Sequence, residues 1–369
     1  MTNPVSDFLA FEAGYLGHDA IVWTQNHMEV PVFAVGAYLW FVFYFPKLQD
    51  WHYLPAAIKA ENLPDLKKPM AVWSLGLALF SMVGASRVVP VLLGELFDGT
   101  KGATFYERFL FSACGEPARR YKDGPVGLWT MLFIYSKFPE LVDTVFLVLQ
   151  RKKVIFLHWF HHCTVLLYCW HAFHHEIAPG LWFAAMNYSV HSVMYSYYFM
   201  SNMGMRHVVR PFAPLITTVQ ILQMVGGIAV TVTAARAHSA DPASCYTDAA
   251  NWKLGLGMYG VYLMLFCVLF ANLYCTRAEK ATLNKRGSFR PRKVKWPTFM
   301  SWWNKLRNYH PSLDVGDAAG GFQGHEDEKA RAKTIKAANA AAAKAAKHAA
   351  AGDKPGTPRR RSARSSSKR

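Results

Sequence analysis

Seven windows of mostly apolar residues, near 29–48, 70–94, 127–150, 155–174, 180–201, 212–236 and 254–276, constrain this 369-residue chain more than anything else in it. About twenty such residues in a helix cover the hydrocarbon of a bilayer, because each residue rises about 1.5 Å. Lipid offers no hydrogen bonds to the backbone, so each window must satisfy its own N–H and C=O groups, as a helix does. A composition of 52% hydrophobic and 18% charged residues is also far from that of an ordinary soluble enzyme. The expected fold is an all-α membrane protein of seven transmembrane helices.

Charge orients the chain. Residues 277–369 hold 23 Lys and Arg against 7 Asp and Glu, nearly all of the net charge of +17, while the first 28 residues contain no Lys or Arg. Basic segments stay on the cytosolic side. The expectation is a lumenal N-terminal segment (1–28), a seven-helix body (29–276), a basic-aromatic juxtamembrane segment (277–311) and a basic disordered cytosolic tail (312–369). The tail suits anionic headgroups better than nucleic acid. The loop 95–126, with Lys101, Arg108, Arg119, Arg120 and Lys122, runs against the charge rule on the lumenal side. No basic region, short apolar core and cleavage site open the chain in that order, so no removable signal peptide is expected. Cys163, Cys169, Cys267 and Cys275 fall in or at the ends of windows and read as small buried side chains. Cys114 and Cys245 fall in loops of one oxidising compartment and are expected to form a disulfide.

Ionisable groups in hydrocarbon are costly and usually mark a site. Four stripes of polar residues lie in the windows. The third window carries Lys137, Glu140, Asp143 and Thr144 at spacings that share one helix face, either as a neutralising ion cluster or as an anchor for neighbouring histidines. The fourth carries His158, His161 and His162 on one face, where imidazole serves as nucleophile, general base or metal ligand. The fifth carries Asn187, His191, Tyr195 and Tyr198, and the sixth Thr217, Gln220 and Gln223.

The pattern HxxHH is also the ligand pattern of membrane di-iron desaturases and hydroxylases, and it occurs twice, at His158/His161/His162 and at His171/His174/His175. On one helix the two boxes are about 20 Å apart along the axis and cannot share a di-metal centre. The other histidines are single: His18, His27 and His52 form no further box, and those after residue 200 are scattered. No metal is therefore expected, and the second box reads as a pocket rim or solvent-exposed end. A seven-helix receptor or transporter is the third reading, disfavoured by the concentration of Lys, Glu, Asp and His on adjacent windows.

The segments KFPELVDT (137–144), HWFHH (158–162), MNYSVHSVMYSYY (186–198) and TTVQILQ (217–223) together resemble the four signature segments of the ELO family of very-long-chain fatty acid elongases, in the same order and spacing. The resemblance covers roughly residues 25–280. It implies a 3-ketoacyl-CoA synthase of the endoplasmic reticulum membrane, with six helices enclosing a tunnel closed at the lumenal end. Acyl-CoA and malonyl-CoA are the implied co-substrates, with no bound cofactor. A ketoacyl-CoA reductase, a dehydratase and an enoyl-CoA reductase are the implied partners, and a homodimer is left open. The flanking residues of the boxes are closer to the branch acting on saturated and monounsaturated chains. On these residues His161 reads as a nucleophile forming an acyl-imidazole, and His191 as a second catalytic imidazole. His158 and His162, helped by Glu140 and Asp143, read as holding the nucleophile's tautomer, and Asn187, Tyr195 and Gln220 as oxyanion donors. A direct mechanism, with His161 only moving protons, stays open. Cys163 adjoins the box but is turned away from the histidine face. Arg151, Lys152, Lys153, Arg206 and Arg277 fall at the cytosolic mouth, where each either meets the phosphates of CoA or serves only to orient the chain in the membrane.

Overall fold

The computed structural model describes residues 3–48, 65–150, 152 and 154–275, and among these every regular element is helical. The chain divides into two units, 1–322 and 323–369, of which the second lies wholly outside the described residues. So do both expected tail segments.

Thirteen α-helices follow one another: α1 (Pro4–Ala13), α2 (His18–Asn26), α3 (Glu29–Leu48), α4 (Lys67–Phe97), α5 (Phe105–Cys114), α6 (Pro117–Arg120), α7 (Gly124–Ser136), α8 (Val142–Leu149), α9 (Phe156–His174), α10 (Gly180–Met200), α11 (Arg206–Val209), α12 (Ala213–Ala240) and α13 (Ala249–Phe270). Local chemistry sets several starts. Asn3 caps α1 by accepting from the Val5 N–H at 3.0 Å, and Asp248 caps α13 by accepting from the Asn251 N–H at 3.0 Å. Thr104 and Glu107 form a reciprocal capping box at α5.

Among the described residues four helical stretches are long and apolar enough to cross a membrane: Glu29–Pro46, Lys67–Phe97, Gly180–Ala240 and Ala249–Tyr274. The third, of 61 residues, contains both α10 and α12 and is broken at Gly204, whose φ of 87° is open to glycine at no steric cost. The windows at 127–150 and 155–174 are not among the four. Pro139 cannot donate a helical hydrogen bond, so the first of them is two helices, α7 and α8, joined by a 3₁₀ turn at Pro139–Leu141. α9 is 19 residues long, but its five histidines dilute its apolar character.

Two cores flank the pair α9 and α10. One joins Val88 of α4, Trp129 and Phe133 of α7, Trp170 of α9 and Tyr188 of α10. The other joins Tyr168 of α9, Phe183 of α10, Met224 of α12 and Tyr259 and Tyr262 of α13. α4 meets α10 along small residues, Ala71, Ser74, Ala78, Ser81 and Gly84. A Cβ on Gly84 would stand 2.5 Å from the Tyr188 ring, so glycine is what allows this approach. α1 is held by one buried carboxylate: Glu12, 1% exposed, accepts from Arg87 Nε at 3.0 Å and from Trp129 Nε1 at 2.6 Å. Cys114 and Cys245 are joined by a disulfide that ties the end of α5 to the loop before α13.

Candidate active site

The Pro139 turn that breaks the third window also builds the centre of the site. Lys137 and Glu140 sit at the turn, whereas Asp143 and Thr144 open α8, so the four do not share one continuous helix face. Lys137 Nζ donates to Glu140 Oε1 at 2.6 Å and to Asn187 Oδ1 at 3.1 Å. Ser136 Oγ donates to the same Glu140 oxygen at 3.1 Å. Lys137 and Glu140 are both nearly completely buried; hydrogen bonds satisfy Glu140 Oε1, whereas Oε2 is buried without a partner among the described residues.

Asn187 passes this polarity to the next imidazole. Its Oδ1 is taken by Lys137, which turns Nδ2 toward His191 Nε2 at 3.1 Å. Nε2 therefore accepts, and the ring proton of neutral His191 lies at Nδ1, 3.9 Å from Glu140 Oε1. A chain from Glu140 through Lys137 and Asn187 thus fixes the tautomer of His191.

The histidines of α9 are held differently. His158 Nε2 bonds the Thr144 hydroxyl at 2.9 Å, and that hydroxyl shares a second bond of 2.9 Å with Tyr38 of α3. The His158 and His162 rings lie 4.5 Å apart, and the His161 ring stands perpendicular to that of His162 at 5.6 Å. His162 Nδ1 is buried without a partner. Among the described residues no hydrogen bond is made by either ring nitrogen of His161, whose backbone C=O accepts from the Tyr262 hydroxyl at 3.3 Å.

Asp143 bonds no histidine; it accepts from Trp73 Nε1 and from the Tyr195 hydroxyl, each at 2.7 Å. Tyr195 gives its one hydroxyl proton to Asp143 and so links α10 to α8. Both contacts follow from Pro139, which offsets α8 from α7 and aims Asp143 between α4 and α10. Gln220 Nε2 approaches Met194 Sδ at 3.3 Å, with its side chain on a cavity wall. Trp73, Tyr38, Ser136 and Tyr262 were not singled out in the sequence, where each is one more aromatic or small residue in an apolar window.

Two cavities meet at this cluster. One, of about 170 Å³, is lined by Glu140, His158, His161, His191, Tyr198 and Gln220 among others. The second is narrower, about 50 Å³, and mainly aromatic and aliphatic, with Phe133, Tyr168, Phe173, Phe183 and Tyr259 in its wall. His161, Asn187, Gln223 and Met224 line both. The second cavity reaches Tyr121 and Gly180, where the Tyr121 hydroxyl donates to the Ile177 C=O. Cys163 is buried instead in a cluster with Tyr38 and Val42 of α3.

Of the cations expected at the mouth, Arg151, Lys153 and Arg277 lie outside the described residues. Lys152 is exposed after α8, and Arg206 is half-buried at the start of α11.

Residues 23–282 match the family described as ELO: GNS1/SUR4 family. The chain belongs to that family. It is 40% identical over 297 residues to "Fatty acid elongase 3" of Trypanosoma cruzi, an alignment that covers 76% of this chain and 95% of the relative. It is 41% identical over 275 residues to "Fatty acid elongase 3" of Trypanosoma brucei brucei, covering 71% and 89%. It is 38% identical over 273 residues to "Very long chain fatty acid elongase 6" of Rattus norvegicus, covering 74% and 94%. The matched region of this ELO family chain contains every residue of the cluster described above.

Proposed function

We propose that the protein is the condensing enzyme of fatty acid elongation, joining acyl-CoA and malonyl-CoA to give 3-ketoacyl-CoA, CO2 and CoA. The observation that carries this reading is the position of His161, whose imidazole lines both a polar and an apolar cavity and has no hydrogen-bond partner for its ring nitrogens among the described residues. The apolar cavity suits an acyl chain, and the polar one suits a thioester and the CoA beyond it.

The chemistry runs in two steps. A ring nitrogen of His161 attacks the acyl thioester carbonyl; the C–S bond breaks and CoA leaves with a proton, giving an acyl-imidazole. Malonyl-CoA then loses CO2, and the electron pair of the broken C–C bond forms an enolate. The enolate carbon attacks the acyl carbonyl, the C–N bond breaks, and the departing imidazole takes one proton from water to regain its N–H. His191 faces the enolate oxygen, with its tautomer set by Asn187 and Glu140. His158 and His162 hold the ring of His161 by packing.

In this reading α3, α4, the pair α7 and α8, α9, α10, α12 and α13 are the seven spans, and the two cavities are one tunnel closed at Tyr121. The enzyme then resides in the endoplasmic reticulum membrane with its C-terminus cytosolic. Lys152 and Arg206 face the CoA phosphates, and saturated or monounsaturated chains are the substrates. A ketoacyl-CoA reductase, a dehydratase and an enoyl-CoA reductase complete each cycle, and a homodimer is compatible with it.

The test is incorporation of radiolabelled malonyl-CoA into acyl chains of graded length by microsomes carrying the wild type or His161→Ala. The variant is expected to lose activity by about a thousandfold or more. Full activity of the variant would overturn the reading. Acyl-CoA supplied alone is expected to leave an acyl adduct on His161 by mass spectrometry; an active enzyme without the adduct would favour direct condensation.

A further inference from the structure

The second histidine box takes no part in the cluster described above. His171 lies ten residues beyond His161 on α9, about 15 Å along the axis. His171 and His175 are one helical turn apart and present their rings on the same face, with ring centroids 4.3 Å apart. Asp248, the capping residue of α13, meets them there. Among the described residues these three form the one grouping whose ligand atoms, two imidazole nitrogens and a carboxylate oxygen, all lie within 4.8 Å of one another.

We propose that His171, His175 and Asp248 bind one zinc ion, which ties the end of α9 to the start of α13. The sequence carries no expectation of a resident metal, because the box lies too far along the helix from the first to share a di-metal centre with it. Across the helices its third ligand comes from a residue about 75 positions away in the chain.

Donor chemistry fits zinc, which takes imidazole nitrogen and carboxylate oxygen at about 2.0–2.2 Å in a tetrahedron. Ligand atoms at that range are about 3.4 Å apart, so the cluster has to close by about an ångström. His175 is exposed and free to rotate, and a water completes the fourth position. The rest of the site is pinned. Cys245 is held by the disulfide, and Tyr246 accepts from the Ala178 N–H at 2.7 Å and donates to the Cys114 C=O at 3.3 Å. The C-terminal carbonyls of α9 place negative potential beside the ion.

Asn251 supplies the orienting partner. In the structure its Nδ2 meets His171 Nδ1 at 3.0 Å and its Oδ1 accepts from the Tyr168 hydroxyl at 3.1 Å, so metal binding through Nε2 requires the amide to turn over. With the amide turned so that oxygen meets His171, Nδ1–H donates to it and Nε2 is left to the metal, while the amide N–H₂ meets the Tyr168 oxygen. Tyr168 lines the apolar cavity, so zinc stiffens a wall of that cavity from outside it.

Full-length protein purified in detergent, stripped with a chelator and titrated with zinc alone tests this. Zinc content is read by mass spectrometry and affinity by competition with a chromophoric chelator. Wild type is expected to hold about one zinc per chain and to melt at a higher temperature with zinc than without. Asp248→Asn, which keeps a capping side chain, and His175→Gln, at an exposed position, are expected to bind at least tenfold more weakly. Both should melt like the wild type when no zinc is present. Asn251→Asp is expected to retain binding. Absence of zinc from the wild type, or equal zinc in the wild type and both variants, overturns the proposal whatever the condensation assay shows.

Discussion

At the scale of single residues, the most consequential choice is a lysine and a glutamate buried together beside imidazoles. An ion pair in such a place contributes little net stability, but losing one member leaves an uncompensated charge, at a cost of about 3–5 kcal/mol. Lys137→Met is therefore expected to lower unfolding stability by about that amount. The double variant Lys137→Met/Glu140→Gln should recover most of the loss, because no charge is then left alone. Denaturant titration in detergent checks both. Activity separates from stability in the same pair. Without the Lys137 ammonium, Asn187 Oδ1 has no fixed donor and the amide no longer has to turn Nδ2 to His191. The double variant is thus expected to fold like the wild type and yet condense slowly, and a double variant with wild-type turnover would remove His191 from the chemistry.

At the scale of elements, helix contacts decide what the sequence could and could not reveal. The windows that became α3, α4, α10, α12 and α13 were legible because twenty apolar residues in a row have few other fates. The histidine face of α9 was legible because its i, i+3, i+4 spacing survives in any helix. The break at Pro139 was in plain view, yet its effect was not, since a proline in an apolar run either kinks or ends a helix and only packing selects. That one uncertainty hid the bond between Asp143 and Tyr195. Close approaches were hidden too: nothing marks Gly84 as different from Gly76 until Tyr188 is found against it. Gly84→Ala is expected to destabilise by about 1–3 kcal/mol through overpacking, whereas Gly76→Ala, with open space, should not. A second change, Tyr188→Leu, should relieve the clash, which a melting curve of each variant can read. The capping box of α5 gives a pH signature. Backbone N–H donors of Thr104 and Ala103 hold the exposed Glu107 carboxyl below its ordinary value of 4.5. A carboxylate favoured in the folded state contributes stability above pH 4.5 that disappears as pH falls through its lowered value. The melting difference between wild type and Glu107→Gln should accordingly be flat above pH 5 and vanish in stronger acid.

At the scale of the whole molecule, links between segments distant in sequence gather at the Tyr121 end of the apolar cavity, the end that the proposed function takes as closed. The bridge between Cys114 and Cys245 spans 131 residues and carries α5 to the loop before α13. The same loop holds Ala178 through Tyr246, and Ile177 beside it accepts from Tyr121 at the end of the apolar cavity. Opening the bridge therefore acts on the closed end of the cavity as well as on the unfolded chain. A loop of this length restricts the unfolded ensemble by about 5 kcal/mol in the chain-entropy account. Cys114→Ser, Cys245→Ser and the double variant should each lose a similar amount, because removing either sulfur breaks the one bond. Additive losses would mean that the two cysteines act separately, and free thiols at both positions in non-reduced, alkylated protein would mean that the bridge does not form. If the closed end also limits the acyl chain, the serine variants should extend their product distribution toward longer chains while His161, on the other side of Tyr168 along α9, keeps its turnover. A product profile unchanged in length would confine the bridge to stability, and assign the limit to the aromatic side chains that line the cavity.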